Sequence, residues 1–343
     1  MEYHSLGKTG IKVSPLCLGA MMFGAWGNPD HDESIAIIHR ALDAGINFID
    51  TADVYSNGES EEIVGKALKS VDRSRVVVAT KVHGNMGDDP LAQGNSRRWI
   101  MAECDNSLRR LGLDYIDLYQ IHRPDESVDV DETLGALSDL VHQGKIRNFG
   151  SSTFPAEQIV EAQWVAEKRG RERFMTEQPP YSILVRGIER DVLPTAMKYG
   201  MGVLPWSPLA GGWLSGRFGA GKDNTSRRAS RIPARYNLDL PENQRKLEIV
   251  TELDKVAIDA GITLLEMALA FVLEHPAISS AIIGPRTMEQ LESQLGAPEI
   301  RLDAATLDRI DAIVAPGTNV NAADGGWSPS WLTKSRSRRR SAR

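Results

Sequence analysis

Four side chains of complementary chemistry stand near the ends of three successive apolar segments. The segment Asn47–Asp50 reads N-F-I-D and ends on a carboxylate, Asp50, with the phenol of Tyr55 five residues on. Val76–Thr80 is followed at once by Lys81, and the D-L-Y-Q-I-H run that begins in Tyr115–Gln120 ends on His122. A free phenol has a pKa of about 10, too high for efficient proton exchange at neutral pH. At a separation of about 4 Å and an effective dielectric of about 20, an ammonium favours the phenolate by about 4 kcal/mol before desolvation offsets it. In such a set Asp50 holds Lys81 in place and charged, His122 orients a carbonyl oxygen, and Tyr55 gives a proton as negative charge develops on that oxygen. Each residue alone has an ordinary structural reading: a loop anchor, a packed ring, a snorkelling lysine, a satisfied histidine. Their coincidence at consecutive segment ends does not. The chemistry is carbonyl reduction, which needs a hydride source and no metal.

Those side chains have to be positioned by a scaffold. Short apolar runs alternate with amphipathic stretches along the chain: Leu16–Gly19, Asn47–Asp50, Val76–Thr80, Tyr115–Gln120, Asn148–Ser152, Met175–Gln178, Gly202–Pro205 and Ala281–Ile283. Each is compact and strongly apolar, as expected of strands covered on both faces. Helical patterns occupy Asp32–Ala44, Ser60–Lys69 with Ser60 as its cap, Ser96–Leu111, Glu132–Gln143, Ala156–Arg169, Glu189–Tyr199, Thr263–Glu274 and Met288–Leu295. Eight strands alternating with eight helices predict a (β/α)8 barrel of the TIM type, whose chemistry sits at the C-terminal strand ends. An N-terminal hairpin over Tyr3–Val13 and two extra helices, Pro241–Asp259 and Asp303–Val314, stand outside the alternation. A doubly wound open sheet predicts a G-x-G-x-x-G loop after an early strand, and none is present. The long Gly- and Arg-rich stretch Leu209–Leu240 follows the seventh strand and reads as a functional lid.

Composition narrows the class. The 343 residues are 41% hydrophobic and 25% charged, enough to bury a large core and too apolar for a disordered chain. Net charge is −6, but the last ten residues from Lys334 hold six Lys/Arg and no acid. The rest carries 34 basic residues against 46 acidic, a net of −12, which argues against a nucleic-acid partner. Cys17 and Cys104 supply neither a disulfide framework nor a metal spacing. With no apolar run of membrane length and a polar N-terminus, the chain reads as a soluble cytoplasmic protein. We expect residues 1–321 to form one barrel domain and 322–343 a flexible basic tail, with an oligomer possible and no membrane partner.

The stretch G-I-N-F-I-D-T-A-D-V-Y-S-N-G-E-S-E-E-I-V-G, with the later Lys81 and His122, resembles the signature of the aldo-keto reductases, and the similarity runs from Leu6 to about Val314. The resemblance implies a catalytic tetrad of Tyr55 as general acid with Asp50, Lys81 and His122. It also implies NADPH lying extended across the barrel mouth, with NADH the weaker alternative. Ser152, in F-G-S-S-T-F, and Gln178, in E-Q-P-P-Y-S, match the carboxamide contacts; Thr153 stands where the family pattern has asparagine. Trp206 matches the aromatic that stacks on nicotinamide, with Ser207, Pro208 and Leu209 along the pyrophosphate. Arg217 matches a basic residue of the cofactor-clasping loop. Gly284 and Arg286 in I-I-G-P-R-T would form a phosphate site at a helix start. Gln290 and Gln294 would face the adenine, in a helix that carries Ser293-Gln294 where the family often has Glu-Asn.

For the carbonyl substrate the candidates are Phe23, Trp26, Tyr55, His122 and Arg123, with Trp213 in the long loop. The wording is nearest to the longer-loop branch that includes microbial sugar-aldehyde reductases and potassium-channel β-subunits. The resemblance therefore leaves two readings: an NADPH-dependent aldehyde or ketone reductase, or an NADP(H)-binding regulatory subunit of low turnover. His122, where the channel subunits carry another polar residue, favours the reductase. A phosphate-handling barrel isomerase or lyase without nicotinamide is a third.

Overall fold

In a computed structural model of the chain, residues 1–219, 221–222 and 232–333 are described. The expected N-terminal hairpin is present: β1 (His4–Ser5) pairs antiparallel with β2 (Lys12–Val13). Leu6 and Val13 of this hairpin are buried among side chains of the barrel interior and close its N-terminal end.

Eight parallel strands follow: β3 (Leu16–Gly19), β4 (Phe48–Asp50), β5 (Val77–Val82), β6 (Ile116–Ile121), β7 (Ile146–Ser152), β8 (Thr176–Gln178), β9 (Gly202–Val203) and β10 (Ala281–Ile283). Their order is β10-β3-β4-β5-β6-β7-β8-β9. The two ends meet through bridges at Val203–Ile278 and Trp206–Ile282, and the Ile282 N–H donates to Pro205 O at 2.9 Å. The sheet is thus a closed (β/α)8 barrel.

Alternation along each strand sorts the side chains into two layers. Ile49, Val78, Tyr119 and Phe149 face the helices, whereas Cys17, Phe48, Val77, Ala79, Leu118, Leu204 and Ile282 fill the interior. Continuing the interior column towards the C-terminal end gives Asp50 above Phe48, Lys81 above Ala79 and Gln120 above Leu118. Register aligns them, with Asp50 opposite Ala79, Lys81 opposite Gln120 and Ser152 opposite Gln178.

The helices carry ordinary start signals. Asp30 caps α1 (His31–Asp43), Ser96 caps α3 (Arg97–Leu111) and Asp129 caps α4 (Val130–His142). Thr263 and Glu266 make a capping box on α8 (Leu264–Glu274). The ring is completed by α2 (Glu59–Leu68), α5 (Ala156–Arg169), α6 (Val192–Tyr199) and α9 (Met288–Leu295). The extra helices are α7 (Pro241–Asp259) and α10 (Ala304–Ile313). Several element ends differ from the sequence pattern by one or two residues, and two helix starts differ for a visible local reason. Ser60 lies inside α2 and bonds Thr51 Oγ1 and Ala20 O instead of capping, because Gly58 makes the turn into the helix. Residues Gly187–Glu189 form a separate 3₁₀ turn, so α6 begins only after Asp191.

The described limbs of the long loop are packed segments. Trp213 is buried, stacks on Phe218 with centroids 4.2 Å apart, and donates its indole N–H to Arg235 O at 3.2 Å. Trp213 is therefore a core residue of the loop base. The middle of the expected lid, residues 220 and 223–231, lies outside the described residues, as do 334–343 of the expected tail. Residues 322–333 are described, and Asp324 among them is buried, with carboxylate oxygens 2.5 Å from Arg235 Nε and 2.9 Å from Lys246 Nζ. Packed structure therefore continues past residue 321. Among the described residues no single helix is long and apolar enough to cross a membrane.

Candidate active site

The mouth of the barrel is where the backbone departs from ordinary geometry. Among the described residues, the six non-glycine residues with positive φ all follow C-terminal strand ends. They are Ser56 and Asn57 after β4, His83 after β5, Thr153 after β7, and Ser207 and Ala210 after β9. Each such conformation costs roughly 1–3 kcal/mol and persists only where the surroundings impose it, a pattern typical of functional sites.

Asp50 and Lys81 form a fully buried ion pair inside the barrel, Nζ to Oδ1 at 2.5 Å. Lys81 also donates to Thr51 O at 2.7 Å and to Tyr55 Oη at 3.3 Å. Burial works to lower the Lys81 pKa, but Asp50 and Tyr55 outweigh it and the net direction is up, so the ammonium keeps its proton. The His122 ring stands edge-on to Tyr55, centroids 5.7 Å apart. Burial, reinforced by Arg123, Lys81 and His83, holds the His122 pKa well below the usual histidine range. At neutral pH His122 is therefore a neutral imidazole, able to donate one hydrogen bond to an oxygen. The four residues inferred from strand ends are brought together in one cluster.

Sequence reasoning missed Gln120. Its Nε2 donates to Asp50 Oδ2 at 3.2 Å, beside Gln178 Nε2, which donates to the same oxygen at 2.9 Å and to Gln120 Oε1 at 3.3 Å. A carboxylate only accepts, so both amides must turn their NH2 groups to Asp50. That orientation engages Gln178 through its donors and leaves Oε1 as its acceptor for a ligand. The available signal was alternation: Gln120 lies two residues before His122, on the interior face.

The turn carrying Tyr55 is fixed from behind. Gly58, at φ 92°, makes the turn into α2, and a Cβ there would lie 2.7 Å from Arg110 Cδ. Arg110 binds the buried carboxylates of Glu61 (2.6 Å) and Glu103, clamping α2 to α3. Burial pushes Asp53 and Glu61 up and the thiols of Cys17 and Cys104 up as well, the last to about 12. Neither cysteine is a nucleophile at neutral pH.

The substrate-side expectations divide. Trp26 is 39% exposed, its ring lies 6.1 Å from that of Tyr55, and its backbone N–H donates to Ser56 Oγ at 3.1 Å. Phe23 is fully buried in the helix-facing core, so it supports the loop and offers no surface to a substrate. Arg123 is engaged internally: its Nη1 donates to His122 O, to Thr153 Oγ1 at 3.2 Å and to Ser152 Oγ at 3.5 Å. Its guanidinium lies 6.0 Å from the Trp206 ring.

Around the other side of the mouth, Ser152 donates to Gln178 O at 2.9 Å, and Trp206 Nε1 is buried with no hydrogen-bond partner. Ser207 (φ 61°) accepts from Gly211 N, Pro208 is buried, and Leu209 O accepts from Gly212 and Leu214. Arg217 is exposed beside Ser215. Gly284 faces open space, and the half-buried Arg286 stands just before Thr287, the cap of α9. Gln290 and Gln294 serve that turn: Gln290 Oε1 accepts from Arg286 N at 2.8 Å, and Gln294, buried, donates to Gln290 O.

A closed parallel barrel with this constellation at its C-terminal mouth has the architecture of a barrel enzyme. The model of the Aldo/keto reductase family matches residues 15–315, and the chain belongs to that family. Similar proteins include an uncharacterized oxidoreductase, YrpG, of Bacillus subtilis, 41% identical over 92% of this chain and 97% of its own length. A putative voltage-gated potassium channel subunit beta of Schizosaccharomyces pombe is 36% identical over 92% and 93%. Versiconal hemiacetal acetate reductase of Aspergillus parasiticus is 33% identical over 92% and 98%.

Proposed function

We propose that the protein is an NADPH-dependent reductase of aldehydes and ketones with Tyr55 as general acid. The observation that carries the reading is the Tyr55 hydroxyl, held 3.3 Å from a buried ammonium that is itself fixed by Asp50. When bound, NADPH supplies a hydride. The protein's own part is to place and protonate the carbonyl oxygen. Tyr55 gives its proton to that oxygen, Lys81 stabilises the phenolate left behind, and neutral His122 donates a hydrogen bond that fixes the oxygen's direction. Asp50 takes no part in bonding to substrate; it keeps Lys81 charged and in line.

The residues fit the cofactor. Gln178 Oε1 and the Ser152 hydroxyl suit a carboxamide, and the Trp206 face suits a planar ring. Backbone of the Ser207–Leu209 bend suits a pyrophosphate. Arg286 at the start of α9, with Arg217 beyond, suits a 2′-phosphate and favours NADPH over NADH. Trp26 is the candidate wall of the carbonyl pocket.

Tyr55→Phe tests the reading. It should lower kcat by about 10²–10⁴-fold while NADPH affinity stays unchanged. Retention of most turnover would remove Tyr55 from the mechanism. The second reading, a regulatory NADP(H)-binding subunit, draws on the relatives named as channel subunits. It requires NADPH binding with no oxidation by a panel of sugar aldehydes, dicarbonyls, aromatic aldehydes and ketones. The assembled tetrad, His122 included, favours turnover.

A further inference from the structure

Strand β8 carries two adjacent polar side chains on opposite faces. Gln178 enters the barrel and meets Asp50, whereas Glu177 points the other way and is completely buried. Its Oε2 accepts from Ser151 Oγ at 2.5 Å and its Oε1 from the Phe154 N–H at 3.1 Å. These two donors bracket Ser152 and Thr153, so one carboxyl ties both ends of the turn together. Thr153 sits at φ 63°, a left-handed conformation that a β-branched residue takes only under constraint. From the barrel side the same turn is held by Arg123, through Thr153 Oγ1 and Ser152 Oγ.

We infer that Glu177 is a positioning residue for the nicotinamide end of the site: it fixes the Ser151–Phe154 turn, and with it the Ser152 hydroxyl, without reaching the mouth itself. This rests on reading Ser152 and Gln178 as the carboxamide contacts. Without the carboxyl, the buried Phe154 N–H loses its acceptor, the Ser151 hydroxyl keeps only the long 3.4 Å contact to Thr176 O, and Thr153 is free to relax to negative φ. The turn must then be ordered by the ligand, which lowers affinity. Tyr55, Lys81, Asp50 and His122 make no hydrogen bond to Glu177, whose partners are Ser151 and Phe154, so proton delivery is left in place. A turn defect and a general loss of stability therefore have different signatures.

The groups facing Glu177 are the Ser151 hydroxyl, the N–H groups of Thr153 and Phe154, and the Arg123 guanidinium. Burial outweighs all of them and pushes the carboxyl up to about 7. A neutral amide is thus a close substitute: in Glu177→Gln, Oε1 still accepts from Phe154 while the NH2 donates to Ser151 Oγ.

The experiment compares Glu177→Ala, Glu177→Gln and Ser151→Ala with the wild type, by NADPH titration of tryptophan fluorescence without substrate and by steady-state kinetics. Glu177→Ala should weaken NADPH binding about tenfold, with KM for NADPH rising in step and kcat within about threefold. Glu177→Gln should restore both. Wild-type NADPH affinity in Glu177→Ala overturns the inference. So does loss of kcat at unchanged KM, the mark of a smaller folded fraction. Should Glu177→Ala not fold, Ser151→Ala must weaken NADPH severalfold and Glu177→Gln must not; equal affinity in the two overturns it. A wild-type protein that binds no NADPH overturns the cofactor reading, and this inference with it, which keeps the two failures apart.

Discussion

The two sides of the barrel mouth are built by different physics. On the proton side Asp50, Lys81, Gln120 and Gln178 form one hydrogen-bonded cluster inside the barrel, none more than 3% exposed. On the opposite side the candidate phosphate contacts, Arg217 and Arg286, are an exposed and a half-buried side chain on loops after β9 and β10. In the first region each polar atom depends on its neighbour, because a low-dielectric interior offers no water as substitute. In the second, water and salt replace any lost contact. On the proposed function, preorganisation is concentrated where a proton would move, and adaptability where a large anion would enter and leave.

Removing the cation from the buried side should have the largest effect. Lys81→Met leaves the Asp50 carboxylate in the barrel without its partner and should cost about 3–5 kcal/mol of stability along with turnover. Denaturant unfolding checks this, and adding Asp50→Asn should recover part of the loss. A single variant that unfolds at the wild-type midpoint would show that the barrel interior is wetter than its packing implies.

The carboxyl of Glu177 sets a pH signature of the buried region. Its pKa of about 7 in the folded chain lies above the ordinary 4.5, so the folded state holds the proton more tightly than the unfolded one. That contribution to stability is complete below about pH 4.5 and is lost as pH rises through about 7, at most about 3 kcal/mol in all. Glu177→Gln should therefore gain stability relative to wild type between pH 5 and pH 8. A difference between the two proteins that does not change with pH contradicts the assignment.

Smaller effects belong to the open side. Arg286→Ala should weaken NADPH about tenfold and leave NADH unchanged, with the gap narrowing as salt is added. Equal losses for both cofactors would move the 2′-phosphate elsewhere. Arg217→Ala, on an exposed side chain, should change NADPH affinity by about threefold or less. A larger loss would mean that the loop closes over the ligand and desolvates this arginine.

Much of the fold was legible because the chain repeats one unit. Strand β3 and helices α5, α7 and α9 begin and end at the residues where apolar runs and helical periodicity place them. That Asp50, Tyr55, Lys81 and His122 cluster was legible for a related reason: in a barrel, side chains at strand ends converge on one mouth, and those ends can be read from where apolar runs stop. Phe23 and Trp213 were misplaced as pocket residues. An aromatic in a loop looks the same whether its ring lines a cavity or anchors the loop to the core. Arg123 was read as a substrate contact from its place next to His122, whereas its hydroxyl partners come from β7 and the turn after it. Glu177 escaped notice because it lies on the helix-facing side of its strand, where a carboxylate has no evident use until Ser151 and Phe154 are seen around it.

The sequence by itself determined the alternation of strands and helices and the identity of the groups that reach the mouth. Both follow from local rules: periodicity along a strand or helix, and the point at which an apolar run ends. Only tertiary structure decided how those groups bond. Gln178 and Asp50 are 128 positions apart, and Gln178 and Gln120 are 58 apart, yet all three share one carboxylate network. Their meeting depends on the register of five neighbouring strands and on closure of the barrel, which no local pattern encodes. The orientation of each amide is then forced by an acceptor on another strand.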